Sequence, residues 1–229
     1  MSLKPKKKSD IKKIEEKMKN KESKMATKEL LPKYTMIVSE GIKTEPIYLR
    51  GFVNKINEKY KNIVRDNRIV VYGTGRNTNG LIKFVDKMRE SGEWERYNKF
   101  WLVYDKDDFP LDNFDNTQFE AEARKDVEMS VAWSNESIEL WFLLHFQDYI
   151  SDNGREHYIK LLNNYFEYSK VREDLFDVLM ELGSLEDAQR RAKRIYDEYV
   201  SAKIYAPSAM VSATRMFELV EELEKYLEK

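Results

Sequence analysis

Acidic side chains follow two β-rich segments of the sequence, at positions where they can take part in metal or acid–base chemistry. Glu40 follows residues 34–39 (YTMIVS), and Asp105 and Asp107 follow residues 99–104 (KFWLVY). Two aspartates two positions apart in an extended segment point the same way. Such hard oxygen donors suit Mg²⁺, and a glutamate beside them can add a ligand or act as a general base. The alternative is an acidic turn whose carboxylates cap a helix.

A further carboxylate, that of Glu139, lies in the apolar run of residues 136–146, which also contains His145. An unpaired carboxylate is costly to bury. Glu139 is therefore expected either to reach the other carboxylates or to form an internal ion pair. For His145, which lies beside Leu144 and Phe146 in this run, a hydrogen-bonded packing role is favoured over a ligand role. A histidine-based zinc site is disfavoured, because no pair of histidines stands at ligand spacing.

Glycine-rich and basic segments are the candidates for binding phosphate. The loop of residues 73–80 completes neither the dinucleotide pattern GxGxxG nor the P-loop pattern GxxxxGK. Arg76 and the backbone amides near Asn79 can still hold a phosphate at a helix start, or the loop is a plain connection. A later basic cluster can contact phosphates or pair with acids on its own helix. It consists of Arg190, Arg191, Lys193 and Arg194.

Strand and helix patterns alternate from residue 34 onward. β-rich runs at residues 34–39, 68–72, 99–104 and 130–133 alternate with helical patterns at residues 44–60, from about residue 79, near 117–128 and at 136–146. Ser134 and Asn135 are expected to cap the last of these helices. The alternation predicts an α/β fold, a parallel sheet with helices on both faces, followed by a helical C-terminal region.

The carboxyl ends of parallel strands share one edge of a sheet, and ligands of open α/β sheets bind at that edge. Glu40 is expected to meet Asp105 and Asp107 there. The predicted sheet therefore brings together carboxylates that are far apart in the sequence.

Charge divides the chain into a basic start and an acidic remainder. Residues 1–33 contain 12 lysines and five acidic residues, whereas residues 34–229 contain 28 basic and 36 acidic residues. We expect a flexible basic tail over residues 1–33, an α/β core over residues 34–150 and a helical region packed on that core over residues 151–229. The tail is either an arm that contacts nucleic acid or a solvated leader. In the helical region, Ser184 and Asp187 are expected to form a capping box.

Composition excludes several classes of protein. The absence of cysteine excludes disulfides, cysteine-ligated zinc, iron–sulfur clusters and thiol catalysis. No apolar run reaches the roughly 18 residues that a membrane span needs. The lysine-rich start has no apolar core of the kind that a secretory signal contains. We therefore expect a cytoplasmic protein with no membrane partner.

Three motifs resemble the RloB-like family, small Toprim-related proteins encoded near restriction and phage-defence genes. Residues 39–48 (SEGIKTEPIY) are similar to the family's EGxxTExxY signature, and residues 104–107 (YDKD) to its DxD element. Residues 134–146 (SNESIELWFLLHF) are close to an SNxxxELWxLLHF pattern. The resemblance spans about residues 34–223 and leaves out the lysine-rich tail.

The resemblance implies a Toprim-like core, in which a glutamate after one strand and a DxD motif after a later strand surround Mg²⁺ or Mn²⁺. Carried over to this sequence, Glu40 is the general acid or base and a metal ligand. Asp105 and Asp107 are the other metal ligands, so the resemblance strengthens the metal site that their spacing already suggests. Glu139 is a further catalytic candidate because its carboxylate can reach the same edge, and the family motif assigns it no role.

Other residues match the family motifs less informatively. Glu45 and His145 stand in the motifs without an assigned role. Ser134 and Asn135 follow the fourth predicted strand, which places them near the edge of the sheet, where they can contact phosphate.

Two functions of different classes remain open. The first is a Mg²⁺-dependent phosphodiester hydrolase that cleaves DNA or RNA in phage defence, with Lys43, Arg76 and the basic tail positioning the nucleic-acid backbone. The alternative is a non-catalytic binding or regulatory module that acts with a protein partner from a defence operon. A nucleotide phosphotransferase is disfavoured because no nucleotide fingerprint is present.

Overall fold

The computed structural model describes residues 12–19, 31–107 and 111–228, with only the backbone at residues 79, 111 and 112. The chain divides into two compact units, Met1–Pro32 and Lys33–Lys229. In the first unit, residues 12–19 are helical and their side chains are exposed. Residues 1–11 and 20–30 of the predicted basic tail lie outside the described residues. The three-part division expected from the sequence stays a prediction.

Within the described residues, four parallel strands form one sheet. They are β1 (Thr35–Ser39), β2 (Ile69–Gly73), β3 (Lys99–Asp105) and β4 (Glu128–Ser134), in the order β2-β1-β3-β4. The strands β1 and β3 are buried along their whole length, as their continuous apolar sequences predict. The predicted α/β fold class, with a parallel sheet surrounded by helices, is confirmed.

Helices join the successive strands. They are α1 (Thr44–Tyr60), α2 (Thr78–Glu90) and α3 (Leu111–Ala123). The bounds of α1 are those predicted, and Leu49, Phe52, Val53 and Ile56 form its buried face. Helix α1 begins at Thr44, shortly after Glu40, so its first turn holds in place the segment that leaves β1.

The predicted bounds of α2 and α3 were partly wrong. The N-cap of α2 is Asn77, whose backbone is extended, so that the helix begins before Asn79. Helix α3 ends at Ala123, before the predicted end at residue 128. There Arg124 forms ion pairs with Asp86 and Asp126, and these pairs hold the connection to β4.

The C-terminal part of the second unit is helical, as predicted. Its helices are α4 (Glu139–Leu144), α5 (Gly154–Leu162), α6 (Leu175–Leu182), α7 (Leu185–Ser201) and α8 (Met216–Lys225), with a short 3₁₀ helix at Pro207–Ala209. The predicted cap at Ser184 is confirmed, because its Oγ accepts a hydrogen bond from the backbone N–H of Asp187 at 3.2 Å. No helix in the described ranges is long and apolar enough to cross a membrane.

The predicted cap by Ser134 and Asn135 was wrong. Ser134 is the last residue of β4, and α4 begins only after Ile138. The Ser134 hydroxyl lies 2.9 Å from the Thr214 hydroxyl, and the Asn135 amide donates to the carbonyl oxygen of Pro207 at 3.1 Å. Both side chains therefore hold the later chain against the sheet, which leaves neither free to cap a helix.

Helix α4 is buried on every side and is anchored to α1 by aromatic contacts. The Trp141 indole N–H donates to the Tyr48 hydroxyl at 2.8 Å. The His145 ring meets the Trp141 ring edge to face, with 5.4 Å between the ring centroids. These contacts fix the first residue of α4, Glu139, at the carboxyl edge of the sheet.

Candidate functional site

The strand order opens a crevice at the carboxyl ends of β1 and β3. The chain leaves β1 towards β2 on one side and leaves β3 towards β4 on the other, so the connecting helices diverge between the two central strands. Glu40 directly follows β1, and its backbone N–H donates to the Val103 carbonyl oxygen at 2.8 Å. Asp105 is the last residue of β3. The two carboxylates thus stand at adjacent strand ends, as the sequence predicts.

A pocket of about 440 Å³ fills this crevice. Its acidic lining residues are Glu40, Glu45, Asp105, Asp107 and Glu139, and its basic ones are Lys43, Arg155 and Lys170. Carboxylates therefore outnumber cations around the pocket, which we call the carboxylate pocket.

Arg155, in the first turn of α5, is the central cation of the carboxylate pocket. Its Nη2 lies 3.0 Å from Asp105 Oδ2 and 2.5 Å from Asp107 Oδ1, and its Nε lies 3.3 Å from Glu139 Oε2. One guanidinium thus bridges carboxylates from β3, the turn after β3 and α4. Its fixed fork of N–H donors suits it to this bridging.

Glu139 satisfies both alternatives left open by the sequence. Its side chain reaches the carboxylate pocket and is also ion-paired with Arg155. The Tyr168 hydroxyl donates to Glu139 Oε1 at 2.9 Å, and the Lys170 ammonium lies 3.9 Å from the same oxygen. With only 1% of the residue exposed, these partners are what make the burial of Glu139 tolerable.

Glu45 folds back over the chain that follows β1. A Cβ atom added to Gly41 would collide with the Glu45 carboxylate, so the absence of a side chain at Gly41 makes room for it. Burial raises the pKa of Glu45, the charge of Glu139 raises it further, and backbone hydrogen bonds oppose the rise. The residues of the predicted EGxxTE motif therefore meet in space as well as in sequence.

Glu40 is held by the start of α2. The Thr78 hydroxyl donates to Glu40 Oε2 at 3.0 Å, and the Gly75 N–H donates to the Glu40 carbonyl oxygen at 2.9 Å. Burial raises the pKa of Glu40 to about 7, with a further contribution from the charges of Asp107 and Glu45, while the bond from Thr78 opposes the rise. A carboxyl group in this state can exchange a proton near neutral pH.

The electrostatics of Asp105 show the same lack of compensating positive charge. Burial raises the pKa of Asp105 well above its ordinary value, and the charges of Glu45 and Glu139 raise it further, although Arg155 lowers it. A bound divalent cation would relieve this repulsion. In oxygen type and in charge, the residues fit Mg²⁺ or Mn²⁺.

The arrangement differs from that of a formed metal centre. In the described part of the chain, no group of three or more Asp, Glu or His side chains is positioned to hold a metal ion. Arg155 lies between Asp105, Asp107 and Glu139, and Thr78 holds Glu40 from another direction. The predicted ligands are thus brought to one pocket, with the guanidinium as their shared counter-charge.

Two of the predicted phosphate-binding residues lie near this pocket. Lys43 lines it and is exposed. Arg76 lies in the loop before α2, two residues from Thr78, and its guanidinium carbon is 4.8 Å from the centroid of the Phe84 ring. Their proximity to Glu40 is established by the fold, whereas a phosphate contact stays a prediction.

The other predicted phosphate-binding residues lie elsewhere or are already engaged. Ser134 and Asn135 are buried in the contacts with the C-terminal chain described above. On α7, Arg190 pairs with Asp187 at 2.6 Å, and Arg194 with Asp148 at 2.6 Å. Arg191 donates to the Leu144 carbonyl oxygen and Lys193 is exposed beside it. The arginines of this cluster are thus engaged in ion pairs and a backbone hydrogen bond, which is the alternative to phosphate binding that the sequence left open.

His145 packs against aromatic rings, and neither of its ring nitrogens has a hydrogen-bond partner among the described residues. Burial lowers the pKa of His145 to about 3, with a smaller contribution from the nearby Arg191 charge. His145 is therefore a buried packing residue, as favoured from the sequence, but the hydrogen bond expected for it is absent among the described residues.

Sequence reasoning missed the partners of the carboxylates. Arg155, Tyr168, Lys170 and Thr78 stand in segments with no periodic or motif pattern that relates them to Glu139 or Glu40. The one available signal was indirect: several carboxylates predicted at one edge require a buried cation.

The fold and the site together define an α/β protein with a cluster of buried carboxylates at the carboxyl edge of a parallel sheet. The family described as RloB-like protein matches residues 35–223, most of the chain. The chain therefore belongs to the RloB-like family. No curated protein and no solved structure is similar enough to count as a match.

Proposed function

We propose that the protein is a divalent-metal-dependent phosphodiester hydrolase of Toprim type, a nuclease of DNA or RNA that acts in phage defence. The observation that carries the proposal is the convergence of Glu40, Asp105 and Asp107 on one pocket with too little positive charge. Such an excess of buried negative charge costs stability, which favours a functional reason for it. The role in defence rests on the family resemblance alone.

The roles follow from the contacts. Asp105 and Asp107 would hold Mg²⁺ or Mn²⁺, and the metal when bound would neutralise the phosphate and activate water. Glu40, with a pKa of about 7, would take up or release the proton of the reaction, oriented by the Thr78 hydroxyl. Lys43 lies at the pocket where a substrate phosphate would enter.

A second candidate is a non-catalytic binding or regulatory module that acts with a defence-operon protein. The contacts of Arg155 favour it, because this residue pairs with three carboxylates and neutralises part of their charge. In that case the pocket would be a structural polar network, and divalent cations would not bind there.

Purified protein incubated with Mg²⁺ or Mn²⁺ and labelled single- and double-stranded DNA, RNA and tRNA separates the two candidates. We expect metal-dependent cleavage that falls on the order of 100-fold or more in Asp105→Asn and Glu40→Gln. Glu95→Gln, which removes an exposed carboxylate outside the pocket, is the matched control and should cleave normally.

Thermal unfolding supplies a readout that does not depend on finding the substrate. Mn²⁺ is expected to raise the melting temperature of the wild type and of Glu95→Gln, but not that of Asp105→Asn. Identical melting temperatures with and without Mn²⁺, together with no cleavage of any substrate, would contradict the nuclease and support the binding module.

A further inference from the structure

A second groove, of about 730 Å³, adjoins the carboxylate pocket. The two share Ile42, Lys43 and Val171 in their linings, so the groove opens into the pocket at this point. From there it runs along the exposed side of α1, between that helix and the segment that contains the start of α6. We call it the α1 groove.

The α1 wall of the groove carries cations without acidic partners. Arg50 and Lys55 are exposed, as is Lys43 at the junction with the carboxylate pocket. Among the ion pairs of the described residues, none involves these three side chains, whereas the arginines of α7 are mostly paired. From Lys43 to Lys55 the helix rises about 18 Å. The wall thus presents a line of free positive charge that leads towards Asp105.

The opposite wall has acidic and apolar character. Glu173 and Asp177 are exposed on the α6 side. Towards the carboxylate pocket, Ile42 and Val171 are 59% and 51% exposed, an unusual degree for apolar side chains at one spot. The charge is therefore separated between the walls, so an anionic backbone is attracted to α1 and repelled from α6.

The floor of the groove is set by Gly51 and Phe176. A Cβ atom added to Gly51 would collide with the Phe176 ring, so the ring packs directly against the backbone of α1. The Lys55 ammonium lies 4.6 Å from the centre of that ring. The groove is consequently bounded below by a fixed aromatic surface and stays open to solvent above.

We propose that the α1 groove binds single-stranded nucleic acid and leads it to the carboxylate pocket, an inference that rests on the proposed nuclease function. Phosphates lie along Arg50 and Lys55, and unstacked bases pack on Ile42 and Val171. Proteins hold single strands without sequence preference by a basic groove along the backbone and side chains on which bases stack, usually aromatic ones. In this groove the exposed Ile42 and Val171 supply the surface for the bases. A duplex keeps its bases inside and gains nothing from the apolar residues.

Binding measured in EDTA tests the groove without any cleavage. Fluorescence anisotropy with labelled single-stranded DNA and RNA of about 12 nucleotides, and with a duplex of the same length, gives affinity against salt concentration. For single strands, the logarithm of the association constant decreases linearly with the logarithm of the salt concentration. In the variant Arg50→Gln/Lys55→Gln this negative slope is expected to become shallower by about 1.4, since two phosphate contacts are lost. Each single variant should lose about half of this.

The matched control, Lys160→Gln/Lys225→Gln, removes two exposed cations outside the groove and should keep the wild-type slope. An unchanged slope in the groove variant, an equal loss in the control, or tighter binding of the duplex would overturn the inference. Failure of the proposed function looks different: single strands would still bind through Arg50 and Lys55, but no metal would promote their cleavage.

Discussion

Two regions of the molecule, the carboxylate pocket and the arginine cluster of α7, each bring together several charges of one sign and differ in how deeply those charges are buried. In the pocket, Asp105 and Glu139 are buried, and the five carboxylates of the lining outnumber its three cations. On α7, Arg190 and Arg194 are exposed and each has an acidic partner within 3 Å. Burial, and not the clustering of charge, therefore distinguishes a candidate site from an ordinary surface.

The energetic reason is solvation. A surface ion pair gains little because water already stabilises both charges. A buried charge loses that stabilisation and depends on each remaining partner. Substitutions in the two regions are accordingly expected to differ in size, and the following predictions run from the largest effect to the smallest.

Arg155→Gln is expected to have the largest effect. Removing this guanidinium leaves Asp105, Asp107 and Glu139 without their shared counter-charge, which should lower the free energy of unfolding by roughly 3 kcal/mol at about pH 8. Urea denaturation of variant and wild type measures the difference. It should shrink as the pH falls, because burial raises the pKa of Asp105 and a protonated Asp105 no longer needs the Arg155 charge.

Arg155→Lys is the matched control, because it keeps the charge but loses the fork of donors. It should lie between the wild type and Arg155→Gln. A pH-independent loss, or equal losses in both variants, would mean that Arg155 stabilises by packing alone and would remove the basis of the comparison.

Glu40→Gln should have an intermediate, stabilising effect whose size depends on pH. The folded protein holds the Glu40 proton up to a pKa of about 7, whereas the unfolded chain releases it near 4.5. The folded state therefore binds more protons in this interval, and stability falls as pH rises through it. Glutamine cannot ionise but can still accept the bond from Thr78, so the variant should be more stable than the wild type above about pH 7 and similar near pH 4.

Urea titrations at several pH values measure this difference, with Glu95→Gln as the exposed control. If Glu40→Gln is less stable than the wild type at about pH 8, the ionised Glu40 carboxylate is stabilised by its neighbours in the folded protein, contrary to the raised pKa. The contrast between the pocket and the surface would then be weaker.

Arg194→Gln should have the smallest effect. It removes exposed pairs with Asp148 and Glu198, which contribute a few tenths of a kcal/mol in typical surface pairs. Denaturation curves with and without about 1 M salt check this, since screening by salt should remove the difference in stability between the variant and the wild type. A loss comparable to that of Arg155→Gln would show that the α7 cluster is not an ordinary surface.

Sequence predicted the parts of this molecule that depend on short-range pattern and on general rules of topology. The buried strands and α1 follow from apolar periodicity, and the meeting of Glu40 with Asp105 follows from the shared carboxyl edge of parallel strands. The metal and the reaction stay predictions.

What the sequence did not predict depends on contacts across the fold. Arg155 reaches Asp105 from the first turn of α5, 50 positions away, and Tyr168 reaches Glu139 from 29 positions away. The helix cap expected at Ser134 was wrong for a related reason, because the Ser134 hydroxyl forms a hydrogen bond with the Thr214 hydroxyl instead. When a polar side chain has several possible partners, tertiary packing decides which partner it contacts. A local sequence pattern carries no information about that packing.

The Glu45 carboxylate over Gly41 has a consequence for how such sequences can diverge. A side chain at position 41 would occupy the space of that carboxylate, so a change of Gly41 forces the Glu45 carboxylate to shift from its present place. A change at position 41 therefore also alters the position of a charge that acts on Asp105 and Glu40. In a comparison of diverged chains, a glycine at 41 without an acid at 45 would mark a pocket that has lost part of its negative charge.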